Sequence, residues 1–239
     1  NLTGTTAIGN SWHGVILENS AASNTIGGTT TAHGNVISGN GQDGIRVLDN
    51  SNNTTILSNI IGLGADGATD LGNGNDGVEL RTDGNIVGAV GSGNIISGNS
   101  DDGIEINASS TNPQFHGNRI GTNAAGTAAV ANGDNGIELN GDRNVIGGTA
   151  AGQGNLISGN GSSGILVDQA TATSNTFLGN LIGTNAAGTA AIANGDHGML
   201  LENGASNNTI GGIAAGSGNL ISGNSKSGVT TPTTATTTS

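Results

Sequence analysis

The stretch Asn155 to Val167, NLISGNGSSGILV, decides the fold because the chain repeats it three more times. Near-copies begin at Asn35 (NVISGNGQDGIRV), Asn94 (NIISGNSDDGIEI) and Asn219 (NLISGNSKSGVTT). A unit of about 60 residues that recurs almost verbatim is typical of a repeat architecture, in which each unit stacks on its neighbours. The sequence therefore predicts one solenoid rather than separate globular domains.

A second marker falls about twice in each unit: a glycine followed by alternating apolar residues, as in Gly103 to Ile106 (GIEI). The alternation places Ile104 and Ile106 on one face of a strand and Glu105 on the other. Two further apolar strand signals follow each copy. The predicted fold is therefore all-β: a right-handed, single-stranded parallel β-helix of about seven coils of 26–34 residues, with three short strands in each.

An asparagine stands just before the third strand signal of each coil. These positions are Asn35, Asn59, Asn94, Asn118, Asn155, Asn180 and Asn219. Asparagine tolerates left-handed turn geometry, and its side-chain amide can bond to a like residue one coil above. We therefore predict that these residues form a structural asparagine ladder rather than a ligand site.

Composition excludes several classes of function. The 239 residues carry a formal charge of −12 with only five Lys and Arg, so no basic surface for nucleic acid is expected. No apolar run approaches the roughly 20 residues of a membrane span, and membrane insertion is not expected either. Cysteine is absent, which rules out disulfides and thiolate metal sites.

The GIxL…NTI…GNxISGN pattern resembles the parallel β-helix repeats of large secreted bacterial surface proteins. More distantly it is similar to the β-helix of pectate lyases, polysaccharide epimerases and tailspike-like proteins. The resemblance covers residues 1–230 and implies a secreted or cell-surface location. It does not imply an activity, because function in such folds lies in sites added to the repeat. Residues 231–239, TPTTATTTS, are predicted to form a Thr-rich tail or linker.

The outward position of the first strand is the most informative column for chemistry. Glu79, Glu105 and Glu138 should stack there in adjacent coils, with Arg46 one coil further on. Carboxylates about 4.8 Å apart repel one another, so something must relieve the repulsion. Three interpretations stay open: a solvated acidic face, which we prefer, a Ca²⁺ site at Glu79, Glu105, Glu138 and Asp102, and catalysis by the three glutamates.

A polysaccharide-active enzyme (a lyase, epimerase or hydrolase) is the alternative function. No pectate lyase motif is visible, the basic residues are scattered over different coils, and aromatic residues that could hold a sugar are scarce. His33, His116 and His197 share no predicted column with one another or with a pair of carboxylates, so zinc is not expected. No catalytic residue is assigned and no cofactor is required, and Ca²⁺ is the one metal for which a site stays possible.

The preferred function is an extracellular structural or adhesive solenoid. Asn1 to Gly14 aligns with Asn185 to Gly198 without a gap, so the chain begins in phase with its own repeat. Uncapped coils present unpaired backbone groups, and stacking head to tail would propagate as a filament. The expected partners are therefore further copies of this chain, and a polysaccharide or cell surface. A calcium-dependent carbohydrate-binding adhesin is a further alternative.

Overall fold

The computed structural model describes residues 4–231, which form a parallel β-solenoid of about seven coils with three short strands each. Sheet A contains β1 (Val15–Leu17), β4 (Ile45–Val47), β7 (Val78–Leu80), β10 (Ile104–Ile106), β13 (Ile137–Leu139), β16 (Ile165–Val167), β19 (Met199–Leu201) and β22 (Val229–Thr230). Sheet B contains β2 (Thr25–Gly27), β5 (Thr55–Leu57), β8 (Ile86–Val87), β11 (Gln114–Phe115), β14 (Val145–Gly147), β17 (Thr176–Leu178) and β20 (Thr209–Ile210). Sheet C contains β3 (Val36–Ile37), β6 (Ile60–Ile61), β9 (Ile95–Ile96), β12 (Arg119–Ile120), β15 (Leu156–Ile157), β18 (Leu181–Ile182) and β21 (Leu220–Ile221).

These findings confirm the predicted all-β parallel solenoid. Within each sheet, every strand pairs in parallel with the equivalent strand of the next coil. A single turn of 3-10 helix, Thr31–His33, is the one helical element among residues 4–231. The right-handed sense stays a prediction. The predicted Thr-rich tail lies outside the described residues, apart from Thr231.

The core consists of small aliphatic side chains stacked in columns. Ile104 and Ile106 of β10 are fully buried, as their alternation predicts, and Phe115 and Phe177 fill the inner column of sheet B. This burial weakens in the last coil, where Ile210 of that same column is 38% exposed. The thin core is therefore continuous from coil to coil, and it becomes exposed in the last coil that the structure describes.

The predicted asparagine ladder is present. The Oδ1 atom of Asn59 accepts bonds from the backbone N–H of Asn35 at 3.0 Å and from its side-chain amide at 2.9 Å. The same pair of bonds joins every later member up to Asn219. Each buried amide thus satisfies the turn of the coil beside it, which removes the cost of burying both groups.

The structure contains a second ladder that the sequence analysis missed. It lies at the corner between sheets C and A and is formed by the asparagine of the ISGN motif and its equivalents. Its members are Asn10, Asn40, Asn73, Asn99, Asn132, Asn160, Asn194 and Asn224. The ISGN motif was itself the signal, since this asparagine recurs in all four copies.

The glycine that precedes each strand of sheet A is required by close packing. A Cβ atom on Gly103 would lie 2.6 Å from the carbonyl oxygen of Gly136 and 2.7 Å from Cγ2 of Ile120. Both distances are shorter than real Cβ atoms tolerate, so a side chain here would push coils apart. This explains why the GIxL marker keeps its glycine in every coil.

The extra residues of each coil form loops on both sides of sheet C. After sheet C, three excursions are closed by short antiparallel bridges between Leu63 and Asp70, Thr122 and Ala129, and Thr184 and Ala191. Inside the second, the side chain of Asn123 accepts the backbone N–H of Thr127 at 2.9 Å. These bonds make the excursions compact turns rather than loose loops.

Candidate functional site

The outward column of sheet A brings the predicted glutamates together. Glu105 of β10 pairs in register with Glu79 of β7 on one side and with Glu138 of β13 on the other. Arg46 of β4 lies directly beside Glu79. The predicted stacking in adjacent coils is therefore confirmed, including the position of the arginine.

Glu79 is not part of a solvated face, and for this residue the preferred interpretation is wrong. Its side chain is 2% exposed because two guanidinium groups cover it. Nε of Arg46 lies 2.8 Å from Oε2, and Nε of Arg81 contacts Oε1. The charge of Glu79 is thus neutralised within the protein, whereas Glu105 and Glu138 are half-buried and have no arginine in contact.

A second acidic column lies beside the first and was not predicted as a column. It is formed by the residue that precedes the glycine of each GIxL marker: His13, Asp43, Asp76, Asp102, Asn135, Ser163, His197 and Ser227. Asp43 accepts the backbone N–H of Asp76 at 3.2 Å, and Asp76 accepts that of Asp102 at 3.1 Å. The sequence signal was the recurrent Asp-Gly or Asn-Gly before β4, β7, β10 and β13.

The three aspartates of this column are buried, since Asp43 is fully buried and Asp76 and Asp102 are 3% and 4% exposed. Burial, followed by the charges of Glu105 and Asp43, raises the pKa of Asp76 to about 8. Burial, followed by the charge of Glu138, raises the pKa of Asp102 to about 9. With pKa values this high, these two carboxyls hold protons at neutral pH, which relieves the repulsion between them and the glutamates beside them.

The pKa values of two neighbouring, less buried carboxyls shift in the same direction. Burial, and then the charge of Asp134, raises the pKa of Asp101. Burial, and then the charges of Glu79 and Glu138, raises the pKa of Glu105. A cation bound here would displace protons, so binding would become tighter as the pH rises.

One subset of these carboxyls has the geometry to share an ion. Oxygen atoms of Asp76, Asp101 and Asp102 lie within 4.8 Å of one another. Of the four residues predicted for calcium, only Asp102 belongs to this set. Glu79 is contacted by its two arginines. Glu105 and Glu138 are not members of the set, although Glu138 shares a side-chain hydrogen bond with Asp102. The best-placed cation ligands thus lie at the turn rather than on the strand.

One of the three histidines is placed differently from the prediction. His197 shares the column of Asp43, Asp76 and Asp102, so the prediction that it shares no column with a pair of carboxylates is wrong for this residue. Asn135 and Ser163 separate it from the aspartates, and its Nδ1 accepts the backbone N–H of Ser227. His13 contacts Asp43 directly, with Nδ1 and Oδ2 3.1 Å apart. His13 and His197 therefore both belong to the column formed by the residue before the glycine of each GIxL marker.

The outer face of sheet C forms a groove with a mixed polar and apolar lining that the sequence analysis also missed. Its outward residues are Val36, Ile60, Ile95, Arg119, Leu156, Leu181 and Leu220. Loops of glycine, alanine and threonine on both sides enclose a volume of about 590 Å³ around Arg119, Leu156 and Leu181. Arg119 is the one exposed charged side chain on this stripe.

Comparisons with protein-family models, with curated proteins and with solved structures find no match to this chain. Among residues 4–231, no helix has the length and apolar character needed to cross a membrane. The likeness to bacterial surface repeats therefore rests on the sequence pattern and the observed solenoid alone.

Proposed function

We propose that the chain is a structural and adhesive segment of an extracellular surface protein, which acts as a stiff rod that carries loops at regular spacing. One observation carries the proposal: two asparagine ladders and an aliphatic core commit the interior of the described coils to contacts between coils. The buried polar side chains bond one coil to the next and so hold the rod together. Away from the terminal coils, only the outer faces and loops are free to meet a partner.

The expected partner is a polysaccharide or another cell surface. The net charge of −12 disfavours acidic polymers, so neutral or basic glycans are the better candidates. A glycan array probed with the labelled protein tests this at two salt concentrations. Binding to neutral glycans that resists salt supports adhesion, and absence of binding to any glycan contradicts it.

Self-association through the end coils belongs to the same proposal. In the inner column of sheet B, Phe177 is fully buried whereas Ile210 of the last described coil is 38% exposed. Stacking of a second copy would cover Ile210 and pair the edge of β20 that has no partner strand within residues 4–231. The contact would be head to tail and would therefore extend into filaments.

A matched pair of variants tests the stacking. Ile210→Lys puts a charge into the inner column, whereas Ile213→Lys puts the same charge on a loop residue that is fully exposed. Sedimentation velocity over a concentration series should show association of the parent chain and of Ile213→Lys, but not of Ile210→Lys. A parent chain that stays monomeric at high concentration would contradict self-association and leave adhesion untouched.

A calcium-dependent adhesin is the second candidate, and the clustered carboxyls of Asp76, Asp101 and Asp102 favour it. Calcium binds carboxylate oxygens in flexible geometries, and three carboxyls within reach of one ion would supply part of its ligand shell. Bound ion would raise the midpoint of thermal unfolding, and more at pH 9 than at pH 6, because the carboxyls must release their protons.

Thermal unfolding with calcium or with a chelator measures this effect. Asp102→Asn should abolish the shift, while Asp66→Asn, which alters an exposed loop carboxyl outside the cluster, should preserve it. A midpoint that is the same with calcium and with chelator at both pH values would remove calcium from the function.

A further inference from the structure

The chain contains eight Asn-Gly dipeptides, and one of them lies in a different structural environment from the other seven. They begin at Asn40, Asn73, Asn132, Asn135, Asn140, Asn160, Asn194 and Asn203. Asparagine followed by glycine is chemically labile, since glycine has no Cβ to hinder attack by its own nitrogen on the asparagine side chain. The first seven asparagines are buried, whereas Asn203 is exposed.

The attacking nitrogen is also held back at most of these sites. In six dipeptides the glycine N–H donates to a backbone carbonyl of a neighbouring coil, as from Gly161 to Asn132 at 2.9 Å. The donors are Gly41, Gly74, Gly133, Gly136, Gly161 and Gly195. A nitrogen held in this way cannot readily lose its proton or turn toward the preceding side chain. The coil-to-coil bonds thus protect residues that are labile by sequence.

The dipeptide Asn203-Gly204 lacks both forms of protection. It lies in the turn after β19, which is closed by a bond from the N–H of Ala205 to the carbonyl of Glu202 at 3.0 Å. Asn203 has a φ of 50° and Gly204 a φ of 94°. Within residues 4–231 the N–H of Gly204 has no hydrogen-bond acceptor. The side-chain amide of Asn203 donates to Oδ1 of Asp168 at 2.7 Å.

We propose that Asn203 is a site of spontaneous covalent modification in the folded chain, in which its side-chain amide is converted to a carboxylate. The Gly204 nitrogen gives up its proton and attacks Cγ of Asn203, so a C–N bond forms and the side-chain nitrogen leaves as ammonia. Water then opens the cyclic imide at either carbonyl, which yields aspartate or isoaspartate. No oxidant or other co-reactant is needed.

The modification would convert an attraction between coils into a repulsion. The amide that now bonds to Asp168 becomes a carboxylate facing a carboxylate one coil away. Two negative charges at this separation repel even in solvent. Modification would therefore loosen the contact between the turns that follow β16 and β19, while the ladders of the other coils stay intact.

Peptide mapping by mass spectrometry tests the site, with the folded protein incubated in mildly alkaline water enriched in heavy oxygen. Asn203 should incorporate the label at least an order of magnitude faster than the seven other sites. Asn140 should come next, because Gly141 also lacks an acceptor but Asn140 is buried. The same incubation in denaturant should bring all eight sites to similar rates.

Two results would overturn the inference: labelling of ladder asparagines as fast as Asn203 in the folded protein, or no labelling of Asn203. A pair of variants tests the consequence. Asn203→Asp should lower the midpoint of thermal unfolding at neutral pH by about 2 °C, and this loss should vanish in acid, where both carboxyls are protonated. Asn203→Gln keeps the amide and should show no such dependence on pH. A loss of equal size in acid would contradict the proposed repulsion.

Discussion

Asn94 shows how one ladder residue joins three coils. Its Oδ1 accepts two bonds from Asn59, and its amide donates to the carbonyl of Ile56 and to Oδ1 of Asn118. The side chain is 1% exposed, so water cannot replace any of these partners. A ladder position is therefore a fully satisfied polar group that an apolar residue cannot imitate.

Asn94→Ala should destabilise the protein by roughly 2–4 kcal/mol, because it leaves buried donors without acceptors. Asn35 offers a matched control in the same ladder. It is exposed and donates only to Asn59, so Asn35→Ala should cost far less. Denaturant unfolding followed by circular dichroism measures both. If the two variants lost the same free energy of unfolding, the additional buried bonds of Asn94 would contribute little to stability.

The raised pKa values of Asp76 and Asp102 predict an unusual dependence of stability on pH. The folded carboxyls keep protons up to about pH 8 and 9, whereas unfolded carboxyls release them near pH 4. Stability from these groups is therefore complete below about pH 4 and is lost as the pH rises through 8 and 9.

Asp102→Asn should reduce this loss, and Asn135 shows that asparagine fits the column, since its Oδ1 accepts the N–H of Ser163 at 3.2 Å. Denaturant unfolding at pH 5, 7 and 9 should show the variant gaining on the parent as the pH rises. Asp66→Asn is the opposite control, because hydrogen bonds to Thr69 lower the pKa of Asp66. A parent chain whose stability increases between pH 5 and 9 would contradict the assignment.

At the residue scale, strand register could be predicted from the sequence because it follows from periodicity, whereas the burial of charged side chains could not. The register of Glu79, Glu105 and Glu138 follows from strand alternation and was correct. The burial of Glu79 depends on how far Arg46 and Arg81 reach, which no spacing reveals. Asp102 was considered as a calcium ligand beside the glutamates, but the column that it forms with Asp76 precedes the strand and carries no alternation signal.

At the scale of single elements, strands of only two residues hold the fold because most of them place one side chain in the core and the other on the outer face. In β11, Phe115 is fully buried and Gln114 is exposed. The short strands were predictable from the glycine and asparagine that bound them. The groove over sheet C was not, because a stripe of outward aliphatic residues in sequence looks the same as a core column.

Phe115→Ala should destabilise the chain by about 3–5 kcal/mol, because the cavity left in a thin core cannot collapse easily. Gln114→Ala, on the other face of the same strand, should change stability by less than about 0.5 kcal/mol. Thermal and denaturant unfolding of the two variants give the comparison. If Gln114→Ala cost as much as Phe115→Ala, the assigned inner and outer faces of β11 would be wrong.

At the scale of the whole molecule, stability is a sum over coils, each held only by its neighbours. The central coils have partners on both sides, whereas both residues of β20 are exposed and β21 and β22 are at most half-buried. The terminal coils should therefore open most often. The same open faces are the ones that would recruit another copy.

Hydrogen exchange followed by mass spectrometry can measure both properties in one experiment. At low protein concentration, backbone amides of β10 to β15 should exchange slowest, and those of β20 to β22 fastest, because local opening needs fewer contacts to break there. If copies stack end to end, a higher concentration should slow exchange in β20 to β22 and in β1 to β3 while leaving the central coils unchanged. Ile210→Lys should abolish this dependence on concentration. Uniform protection along the chain would contradict the view that stability is a sum over coils. A gradient of exchange rates that does not change with protein concentration would agree with the solenoid but exclude stacking.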